Sequence, residues 1–144
     1  AASTAVDYWG DTSPTDSVFT LYLGNRVNGA AKTYIAYLFA TLAGISKVGS
    51  YTADTSLTTI DCGFSAAARF ILIKRTDATG NWYIYDSARG IIAGNDPYSI
   101  LNDAAADVTD TDYIDPIAAG FQITAAGSST INVDTGEYIF LAIA

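Results

Sequence analysis

RFILIKRTDATGNWYIYDSARG, residues 69–90, is the stretch that decides the fold. Phe70 through Ile73 are apolar on both faces that a strand presents, which suits a central strand covered on each side. NWYIYDSA alternates instead, with Trp82, Ile84 and Asp86 pointing one way and Tyr83, Tyr85 and Ser87 the other. Between the two runs lies DATGN, which reads as a hairpin turn with Gly80 free to take a positive φ. Two strand-like runs joined by a short polar turn predict antiparallel pairing.

The same grammar extends in both directions. SVFTLYLG at 17–24, TYIAYLFA at 33–40, SKVGSYTA at 46–53, GFQITAA at 120–126 and EYIFLAIA at 137–144 are further strand candidates. Gly, Asn, Asp and Ser fall between these runs, and only NDAAADV at 102–108 looks briefly helical. The expected fold is all-β, an antiparallel two-sheet sandwich of jelly-roll or lectin-like type, with a barrel as the alternative.

Composition narrows the function. Half of the 144 residues are hydrophobic, enough for a substantial core, yet no apolar run approaches the roughly 18–20 residues that a membrane span needs. The start, AASTAVDYWG, has no initiator Met and no basic and apolar regions in series, so it is not an intact signal peptide. Acidic and basic groups balance over residues 1–89, whereas residues 90–144 carry eight acids and no base, and hence the whole net charge of −8. That surface repels phosphates and disfavours nucleic acid as a partner. Without a single His, Ser-His-Asp and Cys-His catalysis and ordinary zinc sites are excluded. Cys62, the one Cys, reads as a buried structural thiol.

One phrase is written twice. TYIAYLFA ends at Ala40 and EYIFLAIA at Ala144, a spacing of 104 residues, which is the size of one sandwich domain. The likeness extends upstream, with Phe19 matching Phe121, Asn28 matching Asn132 and Tyr34 matching Tyr138. Six residues separate Asn from Tyr in both copies, while the Phe-to-Asn loop differs by two residues. Residues 1–41 therefore read as the closing half of a preceding repeat, or as connector strands, and residues 42–144 as a complete β-sandwich repeat. A closing half alone exposes strand edges. It either packs onto its own 42–144 unit or pairs with another subunit, and head-to-tail pairing builds a fibre.

The sequence resembles tandem repeats in tail-fibre and other virion proteins of tailed bacteriophages, especially phages of aquatic bacteria. The resemblance is carried by SKVGSYT at 46–52, Gly63-Phe64, RFILIKRTDATGNWYIYDSARG at 69–90, Gly120-Phe121 and INVDTGEYIFLAIA at 131–144. WGDTSPTDSVFTL is similar to the matching portion of a preceding repeat. The resemblance implies a β-domain on the virion surface within a longer fibre or appendage, with other virion subunits as partners in a homo-oligomer or fibre. It supplies no catalytic residue, and the protein is expected not to be an enzyme.

Three constellations are candidate sites. Lys74 and Arg75 end one strand, Asp86 ends its hairpin partner and Arg89 follows, which reads as a charged cluster at one end of the sheet. Ion pairs pinning the hairpin are the structural reading, and a basic spot for anionic glycans the functional one. Trp82, Tyr83, Tyr85 and Tyr98, with Tyr8 and Trp9, offer apolar faces with polar edges on which a host-surface sugar could stack, although a sandwich core consumes such rings too. Asp110 and Asp112 alternate within NDAAADVTDTDYIDP and could share a Ca²⁺ ion, although the spacing is not that of an EF-hand and a solvated loop is the simpler reading. With no other cofactor implied, the expected function is a virion structural and interaction module. The alternative is a carbohydrate-binding module of a secreted bacterial protein.

Overall fold

The computed structural model describes residues 6–144. Residues 1–5, within the start that lacks a signal-peptide pattern, lie outside the described residues. The chain divides into two compact units after Leu38, and each is described in turn.

The unit spanning residues 39–144 holds eight strands: β1 (Ser46–Thr52), β2 (Thr58–Asp61), β3 (Phe70–Arg75), β4 (Trp82–Asp86), β5 (Ser99–Ile100), β6 (Ile114–Ile117), β7 (Gly120–Ile123) and β8 (Glu137–Ile143). They form a five-stranded sheet ordered β1-β8-β3-β4-β5 and a three-stranded sheet ordered β2-β7-β6. Every pairing is antiparallel, and the two sheets do not close into a barrel. The architecture is the two-sheet sandwich. Among the described residues no helix is long and apolar enough to cross a membrane.

Side-chain alternation explains which face of each sheet turns inward. Ile71 and Ile73 on β3, Tyr138, Phe140 and Ala142 on β8, and Tyr85 on β4 are buried. The other sheet contributes Ile60, Phe121, Ile123 and Ile114. Phe121 meets Phe140 edge to face, with ring centroids 5.5 Å apart, a geometry favoured by the aromatic quadrupole. β3 is central, lying between β8 and β4, but only one of its faces is sealed, since Phe70 and Leu72 are half-buried. The hairpin between β3 and β4 forms as read, yet Gly80 is not among the residues with positive φ. Its smallness matters instead, because a Cβ there would stand 3.1 Å from the Arg75 Cβ.

β7 and β8 are joined by a short 3-10 turn (Ala125–Ser129) and a loop closed by two side chains. The Asn132 amide donates to the Thr124 carbonyl (3.0 Å) and the Ser56 carbonyl (2.8 Å). The Tyr138 hydroxyl donates to the Thr130 carbonyl (3.0 Å) and accepts from the Val133 N–H (3.3 Å). A tight turn follows, with the Gly136 N–H on the Val133 carbonyl (2.8 Å) and Thr135 at φ 58°.

The unit ending at Leu38 contains one helical turn, α1 (Val6–Trp9). The runs 17–24 and 33–40, expected as strands, are not strands, because among the described residues nothing forms a ladder with them. Their local hydrogen bonds nevertheless repeat those of the β6–β8 region. The Asn28 amide donates to the Tyr22 carbonyl (3.1 Å). The Tyr34 hydroxyl accepts from the Gly29 N–H (2.9 Å) and donates to the Asn25 carbonyl (3.0 Å). The Lys32 N–H reaches the Gly29 carbonyl (3.2 Å), with Ala31 at φ 58°. Even the β6–β7 turn, where Ile117 pairs with Gly120, has its counterpart in the Thr15 N–H on the Val18 carbonyl (2.9 Å).

Candidate functional site

The 39–144 unit carries an open cleft of about 420 Å³, lined by Ser50, Tyr51, Thr52, Thr76, Glu137, Tyr138 and Ile139. β1 and β8 supply its floor, in the register that sets Tyr51 against Tyr138 and Thr52 against Glu137. The two tyrosine rings stack at 4.9 Å and 6°. Both are buried and their hydroxyls are committed, that of Tyr51 donating to the Ile131 carbonyl at 2.6 Å. Loss of solvent pushes both hydroxyls up from the ordinary tyrosine value. What the cleft presents outward is therefore hydroxyl and carboxylate from Ser50, Thr52, Thr76 and Glu137, a hydrogen-bonding surface without a nucleophile–base pair. At its edge Arg75 holds Asp77 at 2.8 Å, and Asp77 accepts from the Glu137 N–H at 3.1 Å. The Arg75 guanidinium keeps the Asp77 carboxyl well below the usual range.

The expected charged cluster is split in two. β3 and β4 run antiparallel, so the end of one lies beside the start of the other, and Asp86 pairs with Phe70 while Lys74 pairs with Trp82. Lys74 thus sits ~13 Å along the ribbon from Asp86, at about 3.3 Å per residue, and Arg75 lies one residue further. Lys74 Nζ donates to the carbonyls of Arg75 (2.8 Å) and Gly80 (3.0 Å). At the opposite end Arg89 pairs with Asp86 and with Asp107 at 3.0 Å. Asp107 also accepts from the Ser99 hydroxyl at 2.6 Å, and these two bonds lower its pKa. No basic spot for an anionic glycan is assembled from the four residues.

The aromatic candidates divide across the sheet. Tyr83, Tyr85 and Tyr98 do come together, with Tyr98 edge-on to Tyr83 at 5.4 Å, tilted on Tyr85 at 5.6 Å and stacked near Tyr113 at 5.9 Å. Tyr85 and Tyr98 are buried, however, and offer no open face for a sugar. Trp82 lies on the other face of β4, half-buried, and its N–H on the backbone donates to the Asn102 side chain (2.8 Å). The Tyr85 hydroxyl is buried without a hydrogen-bond partner, and burial raises its pKa well above the ordinary value. In the other unit, Trp9 is exposed and Tyr8 is half-buried.

The family described as "Domain of unknown function (DUF7483)" matches residues 1–144. The chain belongs to this family. No curated protein and no solved structure matches the chain.

In this DUF7483 chain the acidic stretch is organised by a residue that periodicity did not single out. Asp96 is fully buried. Its carboxylate accepts from the N–H of Tyr113 (2.9 and 3.0 Å) and of Ile114 (2.8 Å), and its carbonyl accepts from the Thr111 hydroxyl (2.7 Å). Desolvation pushes its carboxyl up to about 7, against the pull of those N–H donors. Asp96 thereby fixes the entry into β6. Asp110 sits at φ 59°, and Asp112 accepts the Thr124 hydroxyl on its carbonyl. Among the described residues no three His, Cys, Asp or Glu side chains gather as metal ligands, so Asp110 and Asp112 have no third carboxylate to complete a Ca²⁺ site. Cys62 is buried and unbridged, and burial pushes its thiol up to about 11, as suits a structural cysteine.

Proposed function

We propose that this chain is a non-enzymatic structural and interaction module of a tailed bacteriophage, carried at the virion surface in a tail fibre or capsid decoration. It assembles with other virion subunits into an oligomer or fibre and contributes to contact with the host surface. One observation carries the reading: the closing pattern of the sandwich is written twice, with the Asn28 and Tyr34 hydrogen bonds reproducing those of Asn132 and Tyr138. A motif that closes one unit and stands again immediately before it is what a tandem array requires. The resemblance of residues 69–90 to virion repeats supplies the setting, and the acidic stretch from residue 90 onward disfavours a nucleic-acid role. The carbohydrate-module reading gains little, since Tyr85 and Tyr98 are buried.

The test is labelling. Antibody raised against the chain should decorate tails or capsids of virions from the source culture in electron micrographs. Label confined to cells or to the particle-free secreted fraction would remove the virion assignment.

A further inference from the structure

The two copies of the closing phrase differ in what covers them. β8 is clamped between β1 and β3 in a continuous register, Val48–Leu141–Leu72 and Gly49–Phe140–Ile73 among its rungs. Its copy at residues 33–38 has no ladder on either side among the described residues. Exposure follows: Tyr37 is 78% exposed where Leu141 is 6%, and Leu38 is 72% exposed where Ala142 is 0%. The turn that delivers the copy is already set, with the same bonds and the same positive φ at Ala31 as at Thr135. A strand that is delivered but unpaired is a pairing surface, and the 39–144 unit itself displays the kind of strands that cover such a phrase.

We propose that residues 33–38 insert between two strands of a separate sandwich opening half, one like β1 and one like β3, and that this opening half is not identical to the one in this chain. The proposal rests on the tandem-module reading and narrows its partner. The reason for non-identity is volume. The inward residues of β8 are Tyr138, Phe140 and Ala142, and the copy has Tyr34, Ala36 and Leu38 in their places. In β1, Gly49 leaves room for the Phe140 ring, for a Cβ at Gly49 would stand 2.6 Å from it. Ala36 in that slot leaves a hole. At the next inward position Ala142 lies fully buried between Lys47 and Ile71, where Leu38 is too large. The fitting partner has a bulky side chain where this chain has Gly49 and a small one where it has Ile71. It also brings a ring over Tyr34, as Tyr51 lies over Tyr138.

The experiment fuses a second copy of residues 41–112 ahead of residue 1 of the full chain, either unchanged or with Gly49→Leu and Ile71→Ala in the appended copy. Amide hydrogen exchange of residues 34–38 is the readout. The resized fusion should slow these amides by about 100-fold or more relative to the unfused chain, and the unchanged fusion by less. A control in which residues 120–144 replace 18–40 fixes the protection that competent appended strands give. Beside that protected control, amides 34–38 exchanging as fast in the resized fusion as in the unfused chain would overturn the insertion. Equal or greater protection in the unchanged fusion would overturn the volume argument, as would self-assembly of the unfused chain with protection of residues 34–38, which would make the partner a second copy. None of these outcomes bears on whether antibody labels virions, so the virion assignment stands or falls separately.

Discussion

Residues 12–38 and residues 114–142 carry one set of local instructions into two environments. Both form the turn that precedes the phrase, both tie it with an Asn amide, and both seat a Tyr hydroxyl on the loop. Only the second becomes part of a sheet. The difference teaches that the turn chemistry belongs to the local sequence, whereas strand character at the phrase belongs to β1 and β3, more than sixty residues away in the chain. A strand is a statement about its neighbours as much as about itself.

The strongest way to break that comparison is a charge. Ile73 is fully buried on the strand that flanks β8, so Ile73→Asp places an unpaired carboxylate in the core and should destabilise the 39–144 unit by more than about 4 kcal/mol. Leu38→Asp, at an inward position of the uncovered copy, should stay within about 0.5 kcal/mol, because Leu38 is 72% exposed. Urea denaturation of the two variants reads both. Equal effects would mean that the phrase at 33–38 is covered in solution.

Next in size is the ring that the two copies do not share. Phe140→Ala gives β8 the residue that the copy has at position 36, and it removes the edge-to-face contact with Phe121. The loss should be about 3–5 kcal/mol. Replacing Gly49 by Leu in the same variant should recover part of it, since the new side chain enters the space vacated by the ring. Failure to recover would place the Gly49–Phe140 fit outside the stability of the sheet.

The hairpin of β3 and β4 was legible because its periodicity is long and its turn polar. The short strands were not. β2 has four residues, β5 two, and β6 contains Pro116, which is tolerated because β6 is an edge strand. Sequence alternation correctly set Tyr83 and Tyr85 on one face, but which face meets the second sheet depends on Phe121 and Ile114, far along the chain. The charged residues were legible only in part: ion pairs do pin the hairpin, Arg75 to Asp77 and Arg89 to Asp86, but the register sets them at opposite ends of it. Asp96 gave no signal at all, since its partners are backbone N–H groups, which every residue carries.

Asp96 separates the two regions by pH. Its carboxyl is raised to about 7 in the fold, by desolvation first, against roughly 3.9 in an unfolded chain. The folded state holds the proton more tightly, so the contribution is fully present below the unfolded value and is lost as pH rises through about 4 to 7. The urea midpoint of the 39–144 unit should fall over that window, and Asp96→Asn should flatten the profile. Exchange of residues 34–38, which have no such group, should follow only the ordinary pH dependence of unprotected amides. A midpoint that rises over the window would mean that the three N–H bonds outweigh the desolvation.

The smallest effect separates the copies most finely. Tyr138 and Tyr34 hold equivalent hydrogen bonds, but Tyr138 is buried under Tyr51 whereas the Tyr34 residue is 46% exposed. Removing the hydroxyl from Tyr138 leaves the Thr130 carbonyl and the Val133 N–H to find other partners, and Tyr138→Phe should cost about 1–2 kcal/mol. Tyr34→Phe frees the Asn25 carbonyl and the Gly29 N–H, and water can replace the lost hydroxyl at an exposed ring. Its cost in the isolated chain should be below about 0.5 kcal/mol. In a fusion that supplies covering strands, the Tyr34 cost should climb toward that of Tyr138, because the ring would then be sealed from solvent. The same substitution measured in both settings thus reports the cover directly. A Tyr34 cost unchanged by the fusion would mean that the turn is read locally and that nothing closes over it.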